Sequence, residues 1–108
     1  MKLLIVIVQD SDVSLLMDDL VDNEFSVTKL STTGGFLREG NTTLLLGVEE
    51  NKVKECLGLI EANCKRRHTT TTIINSNDQG PMFQSFPIDI QVGGATVFVL
   101  NVDQFLKL

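Results

Sequence analysis

The sequence predicts an α+β sandwich in which one antiparallel sheet carries two helices on a single face. Three observations predict it. Two amphipathic stripes of helical period follow Asp10 and Asn51, and each comes after an apolar strand. The loop between the second and third strands is too short for a parallel crossover, which takes about a dozen residues or more, so those strands pair antiparallel. Each remaining connection contains a helix long enough to cross over the sheet. With 108 residues, 43% of them hydrophobic and 21% charged, the chain has the size and composition of one folded domain, residues 1–108.

Each element follows from local pattern. Leu3 to Val8 is apolar at every position, as in a strand covered on both faces. Asp10 or Ser11 caps the helix that follows, in which Val13, Leu16, Met17 and Leu20 form one buried stripe and Asn23 suits the C-terminal end. Phe25 and Val27 alternate with Glu24, Ser26 and Thr28 in a half-buried strand, and a slip of phase near Lys29 and Leu30 predicts a bulge. Thr42 to Val48 is the third strand. Asn51 opens the second helix, with Val53, Cys56, Leu57, Ile60 and Cys64 on one side. Gly58 inside it costs about 1 kcal/mol relative to alanine, which the stripe outweighs. Eight residues of helix put Cys56 and Cys64 about 12 Å apart, beyond disulfide reach, which predicts two reduced core thiols. Neither belongs to a CxxC pair, so zinc and redox chemistry find no support.

From His68 to Pro87 periodicity fails, and HTTTTIINSNDQGPMFQSFP predicts a long loop, 68–87. Ile88, Ile90 and Val92 then alternate in a strand, Gly93-Gly94 makes a tight hairpin, and Ala95 to Leu100 is the last strand. The order β-α-β-β-α-β is the ferredoxin-like arrangement. Two helices cover one face of such a sheet, yet Leu3 to Val8, Leu44 to Leu46 and Val97 to Leu100 are apolar on both. The second face therefore has to meet another surface. A symmetric homo-oligomer with clefts between subunits is the economical solution, and the alternative, the long loop folded back, uses a segment that is polar for that role.

A formal charge of −5 argues against the broad basic surface that binding a nucleic-acid polymer needs, while leaving room for one anion held locally. Leu3 to Val8 is too short for a signal h-region, and no segment approaches the roughly 20 apolar residues of a membrane span. The expectation is a soluble, cytoplasmic protein without membrane contact. Asn41-Thr42-Thr43 then matches a glycosylation acceptor by chance alone.

The stretch TTGGFLREGNTT, Thr32 to Thr43, is the candidate site, with its turn at 33–41. Gly34, Gly35 and Gly40 allow positive φ and close approach to main-chain N–H groups; turn geometry alone is the competing account. Phe36 beside glycines offers a flat face for a base, with core filling as the competing account. Asn41 carries the donor and acceptors that complement an adenine edge, or serves only to tolerate a left-handed backbone. Thr28 and Thr32 add hydroxyls or reflect strand propensity. The combination favours a purine nucleotide. Catalysis has a poor case: His68 is the single histidine, no nucleophile or metalloprotease motif occurs, and Cys64 with His68 reads as a core thiol beside a loop residue. Lys65-Arg66-Arg67 reads as a helix end complementing the macrodipole.

Three blocks, KLLIVIVQD, VTKLSTTGGFLREGNTTLLLGVE and VGGATVFVLNVDQF, resemble the PII-like cyclic di-AMP receptor proteins of Gram-positive bacteria. The resemblance covers nearly the whole chain, and its second and third blocks are specific when found in this order. It implies a homotrimer of ferredoxin-like subunits that binds cyclic di-AMP in each cleft between neighbours, without a further cofactor or metal, and signals to an unknown protein target by loop rearrangement. It places Thr28, Gly35, Phe36, Leu37, Asn41 and Gly47 in the pocket, with Gly93 and Phe98 approaching from the neighbouring subunit. Two positions depart from the pattern. Ser26 stands where members commonly carry an arginine, and Leu108 where some end in glutamine. An ATP or ADP sensor of the same fold and a non-catalytic adaptor trimer contacting protein through Phe36 and Leu37 are the alternatives.

Overall fold

The computed structural model describes residues 1–30, 40–65, 67–74 and 85–108, with the backbone alone for 67–74 and 85–92. In chain order the elements are β1 (Lys2–Gln9), α1 (Asp10–Asp22), β2 (Val27–Leu30), β3 (Asn41–Val48), a 3-10 turn (Glu50–Lys52), α2 (Val53–Cys64), β4 (Arg67–Ile74), β5 (Ser85–Val92) and β6 (Ala95–Asn101). Strands β2-β3-β1-β6 form one four-stranded antiparallel sheet, and β4-β5 form a separate two-stranded ribbon. Removing the ribbon leaves the expected β-α-β-β-α-β order.

The core lies between the helices and one face of the sheet. Leu4, Val6 and Val8 of β1 alternate inward beside Leu44, Leu46 and Val48 of β3, and they meet Val13, Leu16 and Leu20 of α1 and Cys56, Ile60 and Cys64 of α2. Burying each such aliphatic side chain contributes roughly 1.5–3 kcal/mol. The predicted stripes are the observed ones, except that Met17, Val53 and Leu57 are half-buried at the margin. The Asn63 side-chain amide donates to Asp19 Oδ2 at 2.8 Å and so ties the two helices together.

The end of α1 shows how the chain turns toward β2. Phe25 N–H donates to Leu20 C=O at 2.9 Å and Glu24 N–H to Val21 C=O at 3.0 Å, while Glu24 adopts φ 67°. This pairing is a Schellman stop, with Phe25 packed against the core that contains Leu20. A glutamate holds the left-handed position where glycine is usual, so local strain is accepted there for the exit direction.

Four expectations are corrected. The segment 68–87 is not one long loop, because Arg67–Ile74 is strand and pairs with Ser85–Val92 from Arg67↔Val92 to Ile74↔Ser85. The reason is chemical: RHTTTTII is polar, but six consecutive β-branched residues prefer extended backbone. Residues 75–84 lie outside the described residues. Gly93-Gly94 is not a hairpin, since β5 pairs with β4 and β6 pairs with β1. No bulge interrupts β2, which pairs with β3 in unbroken register from Val27↔Leu46 to Leu30↔Thr43. Neither Asp10 nor Ser11 caps α1, because the helix already begins at Asp10 after an extended Gln9 without a side-chain cap.

Both cysteines are reduced and buried, as the spacing requires. Burial pushes the Cys56 thiol from 9.0 up to about 11, and neighbouring Glu55 adds to the shift. The folded chain holds that proton more tightly than the unfolded one. Its stabilising contribution is therefore complete below pH 9 and is lost as the pH rises from 9 toward 11. Thiolate absorbance of a Cys64→Ala variant is expected to rise toward about pH 11 in the native protein and toward about pH 9 in denaturant. The same midpoint in both states contradicts this.

Candidate functional site

Strand alternation that buries one face leaves the other open. Leu3, Ile5 and Ile7 of β1 are half-buried there, next to Leu45 of β3, and Thr28, Leu30, Thr96, Phe98 and Leu100 are exposed. Phe98 retains 52% of its surface and Leu100 45%. One row crosses the whole sheet on this face, Thr28↔Leu45↔Ile5↔Phe98. Three strand spacings separate its ends by about 14 Å, too far for Thr28 and Phe98 of one chain to touch the same base.

Gly47 lies on the same open face, opposite Leu3, and Ser26 is exposed just before β2 at that end of the sheet. Among the described residues a methyl added at Gly47 would meet only Met1 Sδ, at an ordinary 3.8 Å, and none of them calls for glycine at this position. Gly40 is the contrasting case: an added methyl meets no described residue within 4 Å, but φ is +94°. There the backbone itself demands glycine.

At the other end of the sheet several features converge on one corner. Gln9 ends β1 directly opposite Asn41, the first residue of β3, and both are half-buried. Asp10 N–H donates to Gly40 C=O at 2.8 Å, and the Thr42 hydroxyl donates to Asp10 Oδ1. The start of β3 is thereby pinned to the first turn of α1. From the opposite side Gly93 N–H donates to Gln9 Oε1 at 2.8 Å, and Gly94 N–H donates to Cys64 C=O, which satisfies a carbonyl left over at the end of α2. Both glycines have positive φ, 83° and 95°. Ile7, Val8, Gln9, Asn41, Gly93 and Thr96 are among the residues lining a cleft of about 190 Å³ at this corner.

The predicted site residues thus divide into two groups. Asn41 and Gly93 meet around Gln9, while Thr28, Ser26, Gly47 and Phe98 spread over the open face. Gly35, Phe36 and Leu37 lie outside the described residues. Their segment joins Leu30 to Gly40, so its two ends start from the edge of the sheet that holds this corner. Gln9 is the residue that sequence reasoning missed. Its one signal is that it is the first polar side chain after an unbroken apolar strand. Among the described residues no group of three or more His, Cys, Asp or Glu side chains is placed to hold a metal ion, and no helix is long and apolar enough to cross a membrane.

Comparison with known proteins places these features in context. A family model described as "Cyclic-di-AMP receptor" matches residues 1–108, the whole chain. Among solved structures, the chain is similar to a functionally unknown protein from Pediococcus pentosaceus ATCC 25745. The two are 46% identical, the match covers 99% of this chain and 96% of that one, and the TM-score is 0.77.

The two glycines respond differently to alanine. Gly40→Ala is expected to lower unfolding free energy by about 1 kcal/mol through backbone strain alone. Gly47→Ala is expected to stay within about 0.5 kcal/mol, as at a surface site. Urea denaturation of both variants checks the pair, and a large loss at Gly47 contradicts the reading of that strand.

Proposed function

The chain belongs to the cyclic-di-AMP receptor family, and from that premise we propose that it is a PII-like signal-transduction protein that binds cyclic di-AMP at clefts between the subunits of a homotrimer. The observation that carries this reading is the open apolar face of the sheet. Leu30, Phe98 and Leu100 stay exposed on it in a single chain, beside half-buried Leu3, Ile5, Ile7 and Leu45. A second copy laid over that face covers apolar surface that the two helices cannot reach. It also brings its own Phe98 toward the Thr28 side of a neighbour, a meeting that the 14 Å row forbids within one chain.

In this reading Phe36 stacks on an adenine, Asn41 contacts a base edge, and Gly35, Leu37, Gly47 and Thr28 line the pocket. Gly93 and Phe98 approach from the neighbouring subunit. Gly47 fits the role because it leaves the open face bare at a position where no described residue crowds it. The protein binds without turning the ligand over, and ligand contacts at the corner are passed on to a protein target. Affinity then depends on assembly, because part of each pocket belongs to another copy.

Light scattering on the purified protein at micromolar concentration is expected to give three times the chain mass. Calorimetry is expected to give low-micromolar or tighter binding of cyclic di-AMP that Phe36→Ala or Asn41→Ala abolishes. A single-chain mass, or no heat with cyclic di-AMP, overturns the proposal. Tighter binding of ATP or ADP in direct competition favours a nucleotide sensor of another kind.

Ser26 replaces the arginine common in such receptors and lacks a charged donor for the ligand. Charge-assisted hydrogen bonds contribute about 1.5–3 kcal/mol each. Ser26→Arg is therefore expected to tighten cyclic di-AMP binding about tenfold or more, with the gain shrinking at high salt. An unchanged dissociation constant excludes Ser26 from the pocket.

A further inference from the structure

We propose that Gln9 is a positioning residue, which accepts the Gly93 N–H and so fixes the root of the β4-β5 ribbon to the strand pair that carries Asn41. The inference rests on the receptor reading above and extends it to a residue of the corner to which that reading gives no role. Pairing between β1 and β6 ends at Val8↔Ala95, so toward β6 the main-chain ladder stops one residue short of Gln9. The Gln9 side chain continues it, holding Gly93 at 2.8 Å. On its other side Gln9 is still paired through its backbone with Asn41. One residue therefore joins the start of β3 to the segment where the ribbon returns to the sheet.

The segment being held has few other restraints. Gly93 and Gly94 have no side chains to pack and take up φ 83° and 95°, so their position depends on where their N–H groups are received. One goes to Gln9 Oε1 and the other to the Cys64 carbonyl at the end of α2. The orientation of the Gln9 amide follows from its partner: a main-chain N–H only donates, so the atom facing it is the oxygen. With Gly93 held there, one corner presents Asn41 to the chain's own pocket and the Gly93 main chain to that of a neighbouring subunit. Without that acceptor the ribbon root is free to shift while the four-stranded sheet stays intact.

Per-residue hydrogen exchange of the full chain tests the restraint directly. Gln9→Met keeps side-chain length and removes the strong acceptor, whereas Gln9→Glu keeps an acceptor oxygen. Gly93 N–H is expected to exchange roughly fivefold faster in Gln9→Met and at the parent rate in Gln9→Glu. Leu4 and Leu46 amides in the core stay unchanged in both. Calorimetry with cyclic di-AMP is expected to show at least threefold weaker binding by Gln9→Met. Unaltered Gly93 exchange in Gln9→Met, equal acceleration in Gln9→Glu, or unaltered affinity in Gln9→Met overturns the proposal. Absence of binding by the parent chain instead sinks the receptor reading, and the exchange comparison then decides by itself whether Gln9 fixes Gly93.

Discussion

A sheet that is apolar on both faces, with helices enough for one, is the constraint on which the rest of the structure depends. On the helix side the problem is solved internally, since Leu4, Val6, Leu44 and Leu46 are fully buried. On the other side the same strands present Ile5, Leu45 and Phe98 in one row. No rearrangement of two helices of this length can cover both, because strand alternation sends every second residue to the far side. In the proposed assembly, association of copies and a pocket shared between them both answer this one packing deficit.

The corner obeys a second constraint, hydrogen-bond satisfaction. Four elements end near one another there: β1 at Gln9, β3 at Asn41, α2 at Cys64 and β6 at Ala95. Chain ends leave main-chain groups unpaired, and the structure settles them with Asp10 N–H on Gly40 C=O, Gly93 N–H on Gln9 and Gly94 N–H on Cys64. Main-chain groups at this corner are thus satisfied by side chains and glycines rather than by a continuous ladder.

Much of this was legible in the sequence, and for stated reasons. The stripe of Val13, Leu16 and Leu20 and the unbroken apolar run of β1 are patterns that only one arrangement buries. The ribbon was not legible at β4, because the threonines of RHTTTTII are polar enough to read as loop while their branching at Cβ favours strand. The Gly93-Gly94 pair was read as a hairpin since local sequence says where the backbone turns left-handed and not which strands it joins. Glu24 at φ 67° was invisible for the opposite cause: tertiary packing of Phe25 sets that conformation, against the residue's own preference. Gln9 looked like a strand end, and its role depends on Gly93, 84 positions away.

The β4-β5 ribbon enters after α2 and returns before β6 without altering the order of the main sheet. Thr72 faces Pro87 across it, a residue that a central strand does not tolerate but a two-stranded ribbon, all edge, accommodates. The four-stranded sheet and the helices share one hydrophobic interior, while β4 and β5 pair with each other as a separate two-stranded sheet. An excursion of that kind can lengthen, shorten or change its surface chemistry over evolutionary time while the sandwich and its corner persist.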